Sequence, residues 1–406
     1  MNQSLISGWL IATCFTFQLS HAQSLRPDRI VMNVTADPSH STAITWRTEK
    51  TVTVSYAELM PASADPRTTV KATRFTAATT EPFADSLPIR YHSYIFKDLQ
   101  PNTLYAYRVG QDNQWSEWFQ FRTAAATNDP FSFIYLGDAQ ANILSSWSQT
   151  IRKAYTMAPD ARLIIHAGDL VNRGNNNNEW QQWFEAGGFI HSVIPGLMTT
   201  GNHEFYENAQ GVDVVSAFWR PQFTLPENGP EGLEETCYYS DVQGMRFISL
   251  NSNEIEISDA AFASQKAWLE NVLKHNPNKW TCITFHHPVL STKKTRDNQR
   301  LREDFKPLFE KYKVDLILQG HDHTYARGRD GNKGPVYVVS VSGPKMSDID
   351  PQPWMVKTGS YNQLFQIITV HPQKIAYRSY TATGELFDAF DLEKKAGGEN
   401  LLKSKM

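Results

Sequence analysis

The sequence predicts an α+β two-domain protein in which an N-terminal β-sandwich is followed by an α/β/β/α sandwich. The first observation is a series of short β-branched and aromatic segments before residue 123, with no helical spacing between them. The second is an alternation of short apolar runs with helical patterns in the middle of the chain. The third is a late group of plain strand patterns, which completes a second sheet.

The length and charge of the chain suit a globular protein of two domains. It has 406 residues, with 39 Lys and Arg against 42 Asp and Glu, for a net charge of -3. This balance gives no reason to expect a nucleic-acid partner. Cys237 and Cys282 are too few for a disulfide framework, and the sequence leaves open whether they form one bridge.

The N-terminus has the pattern of an export signal. Residues 5–19 are mostly apolar and uncharged, and Ser20, His21 and Ala22 form a small-x-small cleavage pattern. The apolar run is too short to span a bilayer, so we interpret residues 1–22 as a signal peptide of a secreted or periplasmic protein. A retained anchor is the alternative, because no Lys or Arg precedes the run. We expect no membrane span in the mature chain.

Residues 23–124 are predicted to form the β-sandwich. The predicted strands are 43–47, 52–58, 91–96, 104–109 and 118–121. The segment from Leu99 to Tyr105 resembles the tyrosine corner of fibronectin type III domains, and Trp46 matches their core tryptophan. An unrelated small β domain is the alternative. The small, polar residues 124–130 predict a linker.

Residues 130–392 are predicted to form the second domain, and residues 393–406 a flexible tail rich in Lys and Gly. The early strands are predicted at 133–136, 163–166, 196–199, 283–285 and 314–318, and the helices at 145–157, 179–187, 261–275 and 300–312. The late strands are predicted at 336–341, 364–371, 376–381 and 386–391.

Each of the five early strands is followed at once by side chains that can bind metal or phosphate. In order, these are Asp138 and Gln140, Asp169 and Asn172, Asn202 and His203, His286, and His321 and His323. Loops beyond the carboxyl ends of strands in an α/β sheet converge on one crevice, so these side chains are expected to meet. Glycine precedes four of the candidates, which permits close backbone approach.

Carboxylate, amide and imidazole groups suit Mn²⁺, Zn²⁺, Fe or Mg²⁺ rather than Cu⁺ or a cluster. Two cations about 3.5–4 Å apart need a shared ligand, which a central Asp can supply. Each motif alone is weak, because a Gly-Asp pair is usually a turn and a His-x-His pair is usually structural. The prediction of a metal centre depends on all five motifs occurring in order at strand ends.

Together these motifs resemble those of the calcineurin-like metallophosphoesterase superfamily. The β-sandwich in front and the segment from His321 to Tyr325 are most similar to the purple acid phosphatase-like branch. The resemblance implies two divalent or trivalent metal ions, such as Fe, Zn or Mn, bridged by Asp169. It implies that Asp138 and His323 bind the first ion, and that Asn202, His286 and His321 bind the second.

The same resemblance implies a catalytic role for His203, beside the phosphate, where it stabilises charge and protonates the leaving group. Two positions depart from the family pattern. Asn172 stands where purple enzymes carry Tyr, and Gln140 stands where many other members carry His. Either amide, or water, can complete the first site, so we expect its metal to be held more weakly.

Arg173 has two interpretations. Its segment resembles one in serine/threonine phosphatases, in which an Arg binds phosphate, and a planar guanidinium suits that role. The equal alternative is a solvated loop residue.

The resemblance implies a secreted phosphohydrolase, most similar to an acid phosphatase, that cleaves small phosphate monoesters with metal-activated hydroxide. A phosphodiesterase or nucleotide pyrophosphatase with the same metal centre is the second interpretation. A non-catalytic binding protein with a decayed site is the third. The sequence does not identify the natural substrate, the metal pair or the oligomeric state.

Overall fold

A computed structural model describes residues 26–80, 87–331, 334–395 and 398–405. The interpreted signal peptide, residues 1–22, lies outside the described residues. Among the described residues, no helix combines the length and the apolar character that crossing a membrane requires.

The N-terminal part is a sandwich of two antiparallel sheets. Its strands are β1 (Asp28–Asn33), β2 (Thr42–Glu49), β3 (Tyr56–Pro61), β4 (Thr73–Thr76), β5 (Ala78–Thr79), β6 (Ile89–Phe96), β7 (Leu104–Gln111), β8 (Gln114–Trp115) and β9 (Phe119–Arg122), with a 3-10 helix at Pro66–Lys71. One sheet has the order β1-β2-β6-β5. The other has the order β4-β3-β7-β8, and β9 also pairs with β7. The predicted β-sandwich is confirmed.

The corner expected at Tyr105 is present. The main-chain N–H of Gln100 donates a hydrogen bond of 2.9 Å to the Tyr105 hydroxyl. Trp46 is fully buried in the core between the two sheets, and its indole N–H donates to Ser55 Oγ at 3.0 Å. Both residues therefore have the roles that the resemblance to fibronectin type III domains predicts.

The second part contains sixteen strands and seven α-helices among the described residues. The strands are β10 (Phe131–Leu136), β11 (Ile164–Ala167), β12 (Gly196–Thr199), β13 (Phe205–Glu207), β14 (Asp213–Val215), β15 (Tyr238–Val242), β16 (Met245–Ser249), β17 (Trp280–Thr284), β18 (Leu316–Gln319), β19 (Tyr325–Gly328), β20 (Val336–Val339), β21 (Met355–Gly359), β22 (Leu364–Val370), β23 (Lys374–Thr381), β24 (Leu386–Lys394) and β25 (Asn400–Ser404). The helices are α1 (Ser148–Met157), α2 (Asn177–Gly187), α3 (Ile190–Val193), α4 (Trp219–Gln222), α5 (Ser252–Ile257), α6 (Asp259–Lys274) and α7 (Lys306–Lys311). Two π-helical turns (Ile143–Trp147 and Leu301–Phe305) and a 3-10 turn (Asn202–Glu204) complete it.

These elements form four layers. One sheet contains β25-β24-β23-β22-β10-β11-β12, and the other has the order β15-β16-β17-β18-β20-β19-β21. The sheets pack face to face, with the rings of Phe133 and Phe247 5.0 Å apart and nearly perpendicular. Helix α1 contacts β22 on the first sheet, and Leu269 of α6 and Phe309 of α7 pack with Ile317 of the second. The predicted α/β/β/α sandwich is confirmed.

The first sheet continues without a break into the N-terminal sandwich. Strand β1 pairs in parallel with β12 at Asn33 and Gly196, so one sheet of 11 strands runs through both parts. The buried guanidinium of Arg29 adds hydrogen bonds to Gln222 Oε1 at 2.9 Å and to Asn177 Oδ1 at 2.8 Å. Both partners of Arg29 lie in the second part. The two predicted domains are therefore joined by a shared sheet and by side-chain hydrogen bonds, as well as by the linker.

Within residues 393–406, which were expected to form a flexible tail, the structure contains strand β25. Strand β25 pairs with β24, and Leu402 packs against the main core. Asn400 Nδ2 donates to the buried Asp315 Oδ1 at 2.5 Å. The Lys and Gly content of this segment suggests a coil. The apolar Leu402 and the hydrogen-bonded Asn400 nevertheless allow it to form an edge strand.

Cys237 and Cys282 are both free and buried. Cys282 lies in β17 and packs in the core between the two sheets. The bridge that the sequence left open is not formed between them, and both residues serve as small apolar side chains.

Candidate metal centre

The carboxyl ends of parallel strands from both sheets meet at one edge of the molecule. In the first sheet β10, β11 and β12 are parallel neighbours, and in the second sheet β16, β17, β18 and β20 are. Two groups of potential ligands lie there, with the ligand atoms of each group within 4.8 Å of one another. The first group is Asp138, Asp169 and His323, and the second group is Asp169, His286 and His321. Asp169 belongs to both groups, as a bridging ligand must.

His286 is the fully buried centre of this cluster. Its Nδ1–H donates to the carbonyl of Ala167 at 2.9 Å, so Nε2 faces the other candidate ligands. Nε2 lies 3.1 Å from Asp169 Oδ2, 3.1 Å from His321 Nδ1 and 3.8 Å from Asp138 Oδ1. Burial lowers the pKa of His286, but the Asp169 and Asp138 carboxylates outweigh it and raise the pKa to about 9. The cluster therefore attracts positive charge strongly.

Asp138 is fully buried beside a second carboxylate, that of Asp169, and His286 compensates their negative charge only in part. Burial raises its pKa to about 7; His286 opposes this shift, and the neighbouring Asp169 carboxylate adds to it. The main-chain N–H of His321 donates to both Asp138 carboxylate oxygens at 3.0 Å. A bound cation relieves the repulsion between two buried carboxylates, so this pair fits a metal site.

The side-chain amide oxygen of Asn202 is a separate indication of a cation site. Its Oδ1 atom is buried and has no hydrogen-bond partner. Buried carbonyl oxygens are nearly always satisfied, so an orphan of this kind calls for an explanation such as an ion. Asn202 begins the 3-10 turn that follows β12, and the next residue, His203, donates its main-chain N–H to Asp169 Oδ1 at 3.0 Å. Its amide oxygen, with the carboxylates and imidazoles, makes a donor set suited to Fe, Zn or Mn.

Glycine at two of the predicted positions is required by close packing inside the cluster. A Cβ atom on Gly201 would lie 2.2 Å from Asp169 Oδ1, and one on Gly320 would lie 2.7 Å from Asp138 Oδ2. Any side chain there would displace a candidate ligand. The interpretation of these glycines from the sequence is confirmed.

Three candidate ligands have left-handed backbone conformations. The φ angles are 52° for Asp169, 73° for His321 and 54° for His323. Non-glycine residues in this region carry strain, which concentrates at functional sites and must be held by other contacts. The buried Asp322, between the two histidines, accepts hydrogen bonds from the main chain and the hydroxyl of Thr292 at 2.6 and 3.0 Å. It thereby fixes the turn on which both histidines lie.

The fully buried Glu204 organises two of the ligand loops. Its carboxylate accepts from the N–H groups of Asp169, Leu170 and Gly201 at 2.8 Å and of Val171 at 3.3 Å. It therefore orients the bridging candidate through its main chain. The sequence analysis does not single out this residue; its only signal is an acidic side chain directly after the candidate site residues Asn202 and His203.

His203 is oriented toward the cluster. Its Nδ1–H donates to the carbonyl of Asn172 at 2.6 Å, and its main-chain N–H donates to Asp169 Oδ1 at 3.0 Å. Nε2 lies 3.9 Å from Asp169 Oδ2, and 26% of the side chain is exposed. This nitrogen is thus accessible to a bound substrate beside the metal ligands.

Gln140 lies inside the cluster, but its amide nitrogen rather than its amide oxygen faces the candidate ligands. Its Nε2 donates to Asp169 Oδ2 at 2.5 Å and lies 3.4 Å from His323 Nε2. Its Oε1 accepts from the ammonium of Lys345 at 2.7 Å. In this arrangement the amide oxygen binds a lysine, and the amide nitrogen faces the first ligand group.

Asn172 and Arg173 contact helix α2. The main-chain N–H of Asn172 donates to Glu179 Oε2 at 2.9 Å, and its carbonyl holds His203. The guanidinium of Arg173 pairs with Glu179 Oε1 at 2.7 Å, and 69% of the side chain is exposed. This placement favours the solvated-loop interpretation of Arg173 and assigns Asn172 a main-chain role.

Lys345 was missed by the sequence analysis, which treated 336–341 as a plain strand. The loop after β20 returns to the cluster, where Asp138 forms a parallel bridge with Val341. Gly343 N–H donates to the carbonyl of Asp138 at 2.6 Å. The positional rule applied to the first five strands also fits this one, because β20 is parallel to β18 and ends at the same edge.

Family models match both parts of the chain. Residues 27–123 match the purple acid phosphatase N-terminal domain, and residues 106–325 match the calcineurin-like phosphoesterase family.

Curated relatives include purple acid phosphatase 23 of Arabidopsis thaliana, 25% identical over 300 residues, or 64% of this chain and 63% of that one. Another is Fe(3+)-Zn(2+) purple acid phosphatase 12 of the same plant, 26% identical over 253 residues, or 58% of this chain and 52% of that one. The chain thus spans between half and two thirds of the length of these relatives.

Solved structures support the fold. The purple acid phosphatase PPD1 from yellow lupin (Lupinus luteus) seeds superposes with a TM-score of 0.76 at 18% identity, covering 93% of this chain and 76% of that one. PhoD superposes with a TM-score of 0.66 at 14% identity, covering 97% and 94%. At these identities the likeness establishes the architecture.

We predict that Glu204→Gln weakens metal retention. The amide keeps the size of the side chain but places an NH₂ group against main-chain N–H donors, so the loop carrying Asp169 shifts. Loss of a group that orients ligands typically lowers metal affinity about 10- to 100-fold. Metal content after dialysis, measured by mass spectrometry, checks this. The exposed Glu207→Gln is the matched control, and equal metal retention by both variants contradicts the assignment.

Proposed function

The chain belongs to the calcineurin-like phosphoesterase family, and on this premise we propose that it is a two-metal phosphomonoesterase acting on small phosphate esters. The observation that carries the proposal is the sharing of Asp169 between the two ligand groups. Two-metal sites that cleave phosphate esters need such a shared ligand at the centre. Fe, Zn and Mn are the metals that the donor set favours.

The proposed ligand sets follow the two groups. Asp138, Asp169 and His323 hold the first ion, and Asp169, Asn202, His286 and His321 hold the second. Ions held by these residues would lower the pKa of a bound water molecule and neutralise charge on the phosphoryl oxygens. The sequence offers Gln140 or Asn172 as a further ligand of the first ion; the proposed set leaves both out, because the Gln140 amide oxygen accepts from Lys345 and Asn172 bonds His203 through its main-chain carbonyl.

His203 is proposed as the general acid. Because Nδ1–H is held by the Asn172 carbonyl, Nε2 is the atom that can hold a proton for the leaving oxygen. The orientation of the ring is fixed before substrate binds, which favours proton transfer along one direction. Arg173 is left as a surface residue that pairs with Glu179.

The alternatives differ in substrate rather than in site. A phosphodiesterase or nucleotide pyrophosphatase can use the same ligands, and the experiment below separates these activities. A binding protein with a decayed site is disfavoured, since candidate ligands for both ions are present and close together.

We expect the metal-loaded protein to hydrolyse 4-nitrophenyl phosphate with a higher kcat/KM than bis(4-nitrophenyl) phosphate. We expect Asp169→Asn to abolish both activities and to lower the content of both metals, because the amide cannot bridge two cations as a carboxylate does. Steady-state kinetics and metal analysis test this. Wild-type metal content and turnover in Asp169→Asn would sink the proposed centre, and a faster diester reaction would favour the phosphodiesterase.

We expect His203→Ala to lower kcat for 4-nitrophenyl phosphate while retaining both metals. General acids contribute about 10²- to 10⁴-fold to rate, and less for an activated leaving group such as nitrophenol. A phenyl phosphate series therefore reports the role: the loss should grow with the pKa of the leaving phenol. The exposed His275→Ala serves as the control. A loss independent of the leaving group contradicts proton donation.

We propose that the protein is secreted or periplasmic, on the basis of residues 1–22. Cleavage after Ala22 gives a mature N-terminus at Gln23. Mass spectrometry of the exported fraction checks this, and a membrane-bound protein that retains its first residues supports the anchor instead.

A further inference from the structure

The ammonium of Lys345 lies among catalytic candidates rather than at the surface rim. Nζ is 2.7 Å from Gln140 Oε1 and 3.4 Å from His203 Nε2. Gln140 in turn contacts Asp169 Oδ2 at 2.5 Å, so a single amide separates the lysine from the bridging carboxylate. The loop that carries Lys345 is fixed by the hydrogen bond from Gly343 to the Asp138 carbonyl.

Within the described part of the chain, no carboxylate forms an ion pair with this ammonium. Its two recorded contacts are the Gln140 amide oxygen, which accepts from it, and the His203 imidazole, 3.4 Å away. Two other partly buried lysines do have carboxylate partners: Lys394 pairs with Asp315, and Lys266 pairs with Asp304 at 2.6 Å. A cation that has no carboxylate paired directly with it, beside the proposed phosphate site, is suited to bind a phosphoryl oxygen.

The position also fits the expected substrate. A phosphoryl group bound between the two ligand groups and His203 would lie close to Lys345, whose Nζ is 3.4 Å from His203 Nε2. A phosphate monoester carries close to two negative charges near neutral pH, because its second pKa is about 6, whereas a diester carries one. An added positive charge therefore stabilises a bound monoester more than a bound diester.

We propose that Lys345 is a specificity-determining residue that binds a non-esterified phosphoryl oxygen and favours phosphate monoesters over diesters. The proposal rests on the proposed function, because it assigns a substrate contact at the same metal centre. It also gives Gln140 a positioning role: its amide holds the lysine at one end and the bridging carboxylate at the other.

The alternative is that Lys345 only supports Gln140 and the metal ligands. The two roles predict different results for Lys345→Met, which keeps an unbranched chain without the charge. A supporting role affects metal content and both ester classes alike, whereas a substrate contact affects monoesters and phosphate selectively.

The test compares wild-type, Lys345→Met and Lys345→Arg proteins in the metal-loaded state, with the exposed Lys71→Met as the matched charge control. We expect Lys345→Met to lower kcat/KM for 4-nitrophenyl phosphate about 10-fold or more, and that for bis(4-nitrophenyl) phosphate less than about 3-fold. The affinity for inorganic phosphate, measured by calorimetry, should fall about 10-fold. Lys345→Arg should retain most of the monoester preference, and Lys71→Met should match wild type.

Each other outcome counts against a specific statement. Equal losses on both esters, unchanged phosphate affinity, or loss of metal in Lys345→Met overturns the role of Lys345 and leaves the proposed function standing. If the metal-loaded wild type hydrolyses neither ester and binds no phosphate, the proposed function itself fails.

Discussion

The burial of two carboxylates side by side is the constraint on which the rest of the site depends. Asp138 and Asp169 are almost completely removed from water, and each such charge costs several kcal/mol unless it is compensated. His286 and main-chain N–H donors supply part of that compensation, and the proposed cations would supply the rest. The ligands can come this close only because no side chain occupies Gly201 or Gly320. The left-handed backbone conformations of Asp169, His321 and His323 follow from the same need to bring the ligands together around two metal ions.

The sequence was sufficient for much of this arrangement, because strand ends are visible as the points where apolar runs stop. Asp138, Asp169, Asn202, His286 and His321 all follow such points, and parallel strands then bring them together without further information. The corner at Tyr105 was predictable for a similar reason, since its hydrogen bond is local in the chain.

What the sequence concealed depends on contacts between distant segments. From the sequence, Glu204 cannot be told from any other polar loop residue. Its role follows from the four main-chain N–H groups that donate to it. Lys345 required the knowledge that β20 lies between β18 and β19, since only then does its loop reach Asp138. The tail was misjudged because its composition suggested a coil, while the pairing of β25 with β24 is decided by the open edge of an existing strand.

The pairing of β1 with β12 has a consequence for how this protein can be divided. Strand β12 leads directly into Asn202, His203 and Glu204, and its outer edge is covered by a strand from the N-terminal sandwich. An excised catalytic half that began at the linker would leave those backbone groups unpaired, a template for association with other chains. The sandwich therefore covers the edge of the strand that leads into the candidate site residues. Swapping it between relatives demands a donor strand that matches β12 in register.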